Sequence, residues 1–187
     1  MNIALKEWSA VIRALDLGRQ IFLLRRGGLA EAGRGFQATH PEFIFFPTFE
    51  HQHARFLKPE YAGWLRAPDT AEDQVAITHL AQITDVFRAP AMPEMDALAD
   101  LHVWNPEFIR QRYAYRPDLP LHLVVVRAFR LERPHIIPLR AIYAGCKSWV
   151  NLTEEIPTGT AQPVVEEPVF ESLRGELATR LASAQRV

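Results

Sequence analysis

Between Leu121 and Leu131 the chain reads Leu-His-Leu-Val-Val-Val-Arg-Ala-Phe-Arg-Leu, and four successive positions, Leu123 to Val126, are apolar. Successive residues of a strand point to opposite faces, so this run leaves neither face for water. It predicts a central strand in a sheet covered on both sides. Phe43-Ile44-Phe45-Phe46 repeats the pattern, and Pro47 is expected to end that strand because proline donates no ladder hydrogen bond. At 187 residues, 48% hydrophobic and 23% charged, the chain has the length and apolar content to bury one such core.

The other elements follow from periodicity and punctuation. Leu5, Trp8, Val11, Ile12 and Leu15 recur at helical spacing and predict a helix over 4–17, stopped by Gly18. Gln20 to Leu24 reads as a buried strand, Gly27-Gly28 as a turn, and Phe36 as the start of a short strand that bends at His40-Pro41. Thr48 is placed to cap a helix reaching about Leu57, with Phe49, His53 and Phe56 inward. Val75 to Phe87 fits either period, and its β-branched residues favour a strand. Helices are expected over 93–101 and 105–115, the second with Asn105 as cap and Pro106 at its first position. Short strands at 136–139 and 148–152, a linker over 157–168 and a helix over 170–184 complete the chain. Strands and helices do not alternate regularly, so the expected class is α+β. The expected architecture is a single domain whose mixed, mostly antiparallel curved sheet is flanked by helices. Residues 1–156 would form the α+β core domain, and 157–187 a linker and C-terminal helix.

Cys146 is the only cysteine, so no intrachain disulfide can form, which fits a reducing cytoplasm. The opening Met-Asn-Ile-Ala-Leu-Lys-Glu-Trp lacks the basic and long apolar regions of a signal peptide. No apolar run approaches the ~20 residues that span a bilayer. The chain is therefore expected to be cytoplasmic, with no membrane partner. A net charge of -1 neither favours nor excludes nucleic acid, so such binding would need a local basic patch.

Chemistry concentrates in four stretches. The first holds His40, His51 and His53. On a strand His51 and His53 would share a face and could chelate a metal with His40 or Glu50, whereas on the helix expected from Thr48 they diverge by about 200°. No metal site is predicted on the helical reading. The second is Leu23 to Glu31, where Arg25 and Arg26 beside a diglycine turn suit a phosphate grip. Thr48 at a helix start, with His51 and Gln52 beside it, would add a further anion site. The alternative is a hairpin whose arginines pair with Glu31 or solvent. The spacing of a P-loop is absent.

The third stretch is a surplus of arginine from Arg110 to Arg140, including Arg112 and Arg127, opposed only by Glu107, Asp118 and Glu132. With Trp104, Tyr113 and Tyr115 nearby it reads either as a nucleic-acid face or as solvated charge at element ends. The fourth is Cys146 beside Lys147 and Ser148, a candidate nucleophile or an unreactive buried thiol. No Glu-x-Lys triplet of the nuclease type occurs. The acidic residues from Glu154 to Glu176 read as a solvated terminal face.

Several of these stretches together resemble a bacterial domain-of-unknown-function family, DUF1802. The resemblance rests on Leu23-Leu24-Arg25-Arg26-Gly27-Gly28-Leu29 with Glu31, and on Phe46-Pro47-Thr48 with His51-Gln52. It continues through His102-Val103-Trp104, Phe108, Arg112 and Arg127 to Leu131, and ends at Tyr143 with Gly145-Cys146-Lys147-Ser148-Trp149. It implies no known activity or cofactor. Some members are fused to restriction-endonuclease-like domains, which implies a setting of DNA processing or phage defence.

The residues support a cytoplasmic domain that binds DNA or RNA, or a nucleotide phosphate, through Arg25, Arg26, Thr48, His51, Gln52, Arg112 and Arg127. If chemistry occurs, His51 and Glu31 are the acid/base candidates, because histidine titrates near neutrality. Two alternatives stay open: a hydrolase using a metal or Cys146, and a protein-interaction module that docks a partner through the terminal helix.

Overall fold

The structure is a computed structural model describing residues 1–26, 40–49, 53–65, 70–145 and 147–184. The Leu123–Val126 run lies in β5 (Leu121–Pro138), between β2 (Phe22–Arg26) and β4 (Gln74–Arg88) and antiparallel to both. All four residues are buried, as a run without a polar face requires. Beyond β4 the sheet continues through β3 (Glu42–Thr48) and β1 (Ile3–Trp8) to β6 (Trp149–Asn151), in the order β2-β5-β4-β3-β1-β6. β7 (Gln162–Pro163) pairs with Phe129 and Arg130 of β5. Among these pairings only β1 with β3 is parallel, so the sheet is mixed and mostly antiparallel.

The sheet curls. Its longest pair, β4 with β5, loses register between Ile77 and His79 and again between Ile83 and Asp85, and such irregularities bend strands. Curling leaves hydrophobic clusters on two sides of β3. Phe43 and Phe45 join the larger cluster and Ile44 and Phe46 the smaller, which explains an apolar run with no alternation. The larger cluster also takes in α1 (Ser9–Asp16) and Ile109 of α3 (Pro106–Ala114), whose Asn105 Oδ1 accepts from Phe108 N at 2.9 Å as an N-cap should. A short helical segment runs from Met92 to Leu101, α2 (Met92–Met95) continuing as 3-10 turns. α4 (Glu167–Ala184) buries Phe170, Leu177 and Leu181 in the same cluster, and Val164 N donates to Ala128 O at 3.1 Å. None of the described helices is long and apolar enough to cross a membrane.

Four expectations need correction. The helix expected over 4–17 begins only at Ser9; residues 3–8 are a strand, because the ladder between β3 and β6 competes for the same apolar residues. Pro47 and Thr48 lie within β3 rather than beyond it, paired with Glu7 and Trp8. Thr48 is thus a strand residue, and positions 50–52 after it lie outside the described residues. His53 is extended and exposed, followed by a single 3-10 turn over Ala54–Phe56, and only Phe56 of the expected inner face is buried. The strands expected separately at 121–131 and 136–139 are one continuous strand.

Gly18 does end α1, and does so as the positive-φ residue of a Schellman turn. Arg19 N donates to Ala14 O at 2.9 Å and Gly18 N to Leu15 O at 3.0 Å.

Candidate anion-binding cleft

The curl brings two distant strands of the sheet together. β2 and β1 are separated in strand order by β5, β4 and β3, yet Arg25 of β2 reaches β1 directly. Its Nη2 donates to Lys6 O at 3.0 Å and to Glu7 Oε2 at 2.5 Å. Both side chains of this ion pair are largely buried, at 14% and 12% exposure. Thr48 Oγ1, at the end of β3, donates to Glu7 O at 3.2 Å and ties the third strand to the same seam.

A cleft of about 330 Å³ opens over this seam. Lys6, Glu7 and Trp8 form one wall, Leu24, Arg25 and Arg112 another, Trp104 and Phe108 a third, and Thr48 with Gly145, Lys147 and Ser148 the rim. Among the described residues four cationic side chains therefore face one carboxylate, and that carboxylate is already held by Arg25. Lys6 Nζ donates to Gly145 O at 3.0 Å, and Lys6 N to Ser148 O at 2.8 Å, which fixes the rim to β1.

Arg112 is the most telling member. It projects from the last turn of α3, packs its guanidinium 5.8 Å from the Tyr115 ring and makes one long hydrogen bond, 3.4 Å, to Leu24 O. Its Nε is buried and has no hydrogen-bond partner among the described residues, and the same holds for Arg25 Nε. Burial, and then the positive charge of Arg25, pull the Arg112 pKa below the ordinary arginine value. A buried cation beside another cation, paired with no carboxylate among the described residues, is stabilised by any anion that enters.

The aromatic wall is continuous. Trp8 lies 4.9 Å from Phe108, which stacks on Trp104 at 5.5 Å and 21°. Trp104 Nε1 is buried without a partner among the described residues. Past Lys6, Thr48 and Gly145 the cleft meets a second depression of about 540 Å³, lined by Phe46, Val75, Leu139 and Tyr143 with Glu72, Gln74 and Arg140.

Of the residues singled out in the sequence, the structure brings Arg25, Thr48 and Arg112 together, with Trp104, Lys147 and Ser148 around the same cleft. Arg26 is directed elsewhere: its guanidinium donates to Arg116 O, Leu119 O and Tyr113 O at 2.9, 2.7 and 3.1 Å, clamping the turn between α3 and β5. Arg127 pairs with Glu167 and lies 5.4 Å from the Phe170 ring, beside α4 and away from the cleft. His40 packs edge-on against Trp149 at 4.9 Å. Glu31, His51, Gln52 and Cys146 fall outside the described residues. Among the described residues no group of three His, Cys, Asp or Glu side chains is arranged to hold a metal ion.

Lys6, Glu7 and Trp8 line the cleft and were not among the expected site residues, and Phe108 entered only through the family resemblance. The first three were hidden inside the helix expected over 4–17. Ser9, a residue type favoured at helix starts, was the available signal that the helix begins after them.

The fold and cleft define an α+β domain with one curled mixed sheet and a cationic, aromatic-walled depression where two of its distant strands meet. The chain belongs to the family described as Domain of unknown function (DUF1802), whose profile matches residues 4–176. No curated protein matches its sequence. Among solved structures it is similar to ASCH from Zymomonas mobilis, at 8% identity and a TM-score of 0.44, covering 92% of this chain and 93% of that one. Two variants of that protein are similar to the same degree. A serine-to-alanine variant has 8% identity, TM-score 0.46 and coverage of 92% and 94%; a tyrosine-to-phenylalanine variant has 10% identity, TM-score 0.46 and coverage of 92% and 96%.

Proposed function

We propose that the cleft binds the phosphate of a nucleotide or of single-stranded nucleic acid, in a cytoplasmic protein. The observation that carries this reading is Arg112, a buried guanidinium that, among the described residues, has no partner at Nε and pairs with no carboxylate, with Arg25 beside it. Bare cations in such a position cost stability unless an anion shares the site. Arginine offers phosphate a planar fork of donors, and Lys6 and Lys147 add point charges at the rim. Trp8 and Phe108 give a face for stacking a base, a contact available only when that base is unpaired. The apolar depression beyond Thr48 gives the ligand room to extend. Arg26 acts indirectly, by holding the turn that follows α3.

Fluorescence-anisotropy titration with a labelled oligonucleotide, single-stranded and duplex, tests the reading. Binding of the single strand, weakened by added salt and competed by free nucleotide, supports it. Absence of salt-sensitive binding to any of these probes contradicts it.

A further inference from the structure

A second cavity, of about 390 Å³, lies between α1 and β4 and holds groups the cleft does not use. Ala76, Thr78 and His79 all line it, whereas Val75, Ile77 and Leu80 join the smaller core cluster. Strand alternation therefore breaks between Thr78 and His79, at the first register irregularity of β4, and two consecutive side chains face one cavity. Irregularities of this kind re-aim side chains beside active sites.

The polar groups there form a chain. Thr78 Oγ1 lies 2.8 Å from His79 Nδ1, His79 Nε2 lies 2.7 Å from Asp16 Oδ1, and Arg130 donates to that same oxygen through Nε and Nη2 at 2.8 and 2.6 Å. An ionised carboxylate only accepts, so the proton of neutral His79 sits on Nε2 and Nδ1 accepts from the Thr78 hydroxyl. Burial alone would raise the Asp16 pKa, but the hydrogen bonds from His79 and Arg130 prevail and hold it below the usual aspartate value. Arg13 also lines the cavity, 5.3 Å from the Trp64 ring and without a carboxylate partner among the described residues.

We propose that Thr78, His79 and Asp16 form a nucleophile relay and that this cavity hydrolyses small esters with an apolar acyl group. Hydroxyl, base and orienting carboxylate stand in the order such a relay needs. Thr78 Oγ1 forms a bond to the ester carbonyl carbon while its proton passes to His79 Nδ1. The carbon–oxygen bond to the leaving alcohol breaks, and that alcohol takes the proton from His79, leaving an acyl-threonine. Water then gives a proton to His79 as its oxygen bonds to the acyl carbon. Thr78 Oγ1 departs with that proton, and the free acid leaves. Arg13 stabilises the oxyanion in both halves. Ile12, Phe49 and Ile136 supply the apolar wall for the acyl group.

The test uses the full chain and p-nitrophenyl butyrate. Turnover should fall by about 10²-fold or more in Thr78→Val and His79→Ala and persist in Thr78→Ser. A fluorophosphonate probe should label the peptide carrying Thr78. Thr78→Val is nearly isosteric, and its thermal transition reports whether it folds. No turnover above buffer by the wild-type chain, turnover unchanged in folded Thr78→Val, or labelling confined to another residue would each overturn the proposal.

Discussion

Arg25 Nη2 meets Glu7 Oε2 at 2.5 Å and joins two strands that three others separate in the sheet. That contact spans the curl and takes up the one carboxylate among the described residues of the cleft wall, leaving Arg112 paired with none of them. Architecture and charge surplus have the same origin.

Glu7→Gln removes half of a largely buried pair and leaves the Arg25 charge uncompensated. Urea denaturation should show a loss of about 3 kcal/mol in unfolding free energy. The surviving protein should bind oligonucleotide more tightly at low salt, because the competing carboxylate is gone. A variant as stable as the wild type would show that the seam does not hold the curl.

Trp8 tests the stacking wall. Trp8→Ala should weaken binding of a single-stranded oligonucleotide by about 1–3 kcal/mol, while inorganic phosphate, which has no base, should compete as well as before. Equal losses for both ligands would assign Trp8 to the fold alone.

His102 governs acid stability. It is 3% exposed, its ring lies 5.4 Å from Trp104, and burial, with the charge of Lys58 behind it, pushes its pKa down to about 3. The folded protein thus keeps His102 neutral while the unfolded chain takes up a proton near pH 6.5. Its contribution is complete above pH 6.5 and is lost as the pH falls toward 3, by up to ~1.4 kcal/mol per unit. Thermal melts from pH 7 to 4 should show this slope, and His102→Phe should flatten it.

Gly18 has φ +62°, and an added Cβ would lie 3.0 Å from Val165 Cγ2. Gly18→Ala should cost about 1–2 kcal/mol, measured by denaturation. The cost should fall in the Val165→Ala background, where that contact is gone.

Legibility followed how local the signal was. Leu123 to Val126 announced a doubly covered strand because four successive apolar residues admit no other strand placement. Asn105-Pro106 announced a helix start because cap and proline act within one turn. Residues 3–8 were misread because Leu5, Trp8 and Val11 satisfy helical spacing while their strand partners are remote in sequence. Thr48 was misread because it continues β3, where its hydroxyl bonds to Glu7 O across strands. Arg25, Thr48, Arg112, Lys147 and Ser148 of the cleft were nonetheless visible as charge or hydroxyl without an obvious partner. Their meeting point depends on the curl, which no short window contains.

The central claim rests on Arg112 and is tested most directly by salt dependence. Affinity for a single-stranded oligonucleotide should be measured across a salt series for the wild type and Arg112→Gln. Loss of a charged hydrogen-bond donor to phosphate should lower affinity by roughly 10–100-fold at low salt. The slope of log K against log salt should become shallower by about 0.7. A variant that folds normally and keeps both the wild-type affinity and the wild-type slope would contradict the account.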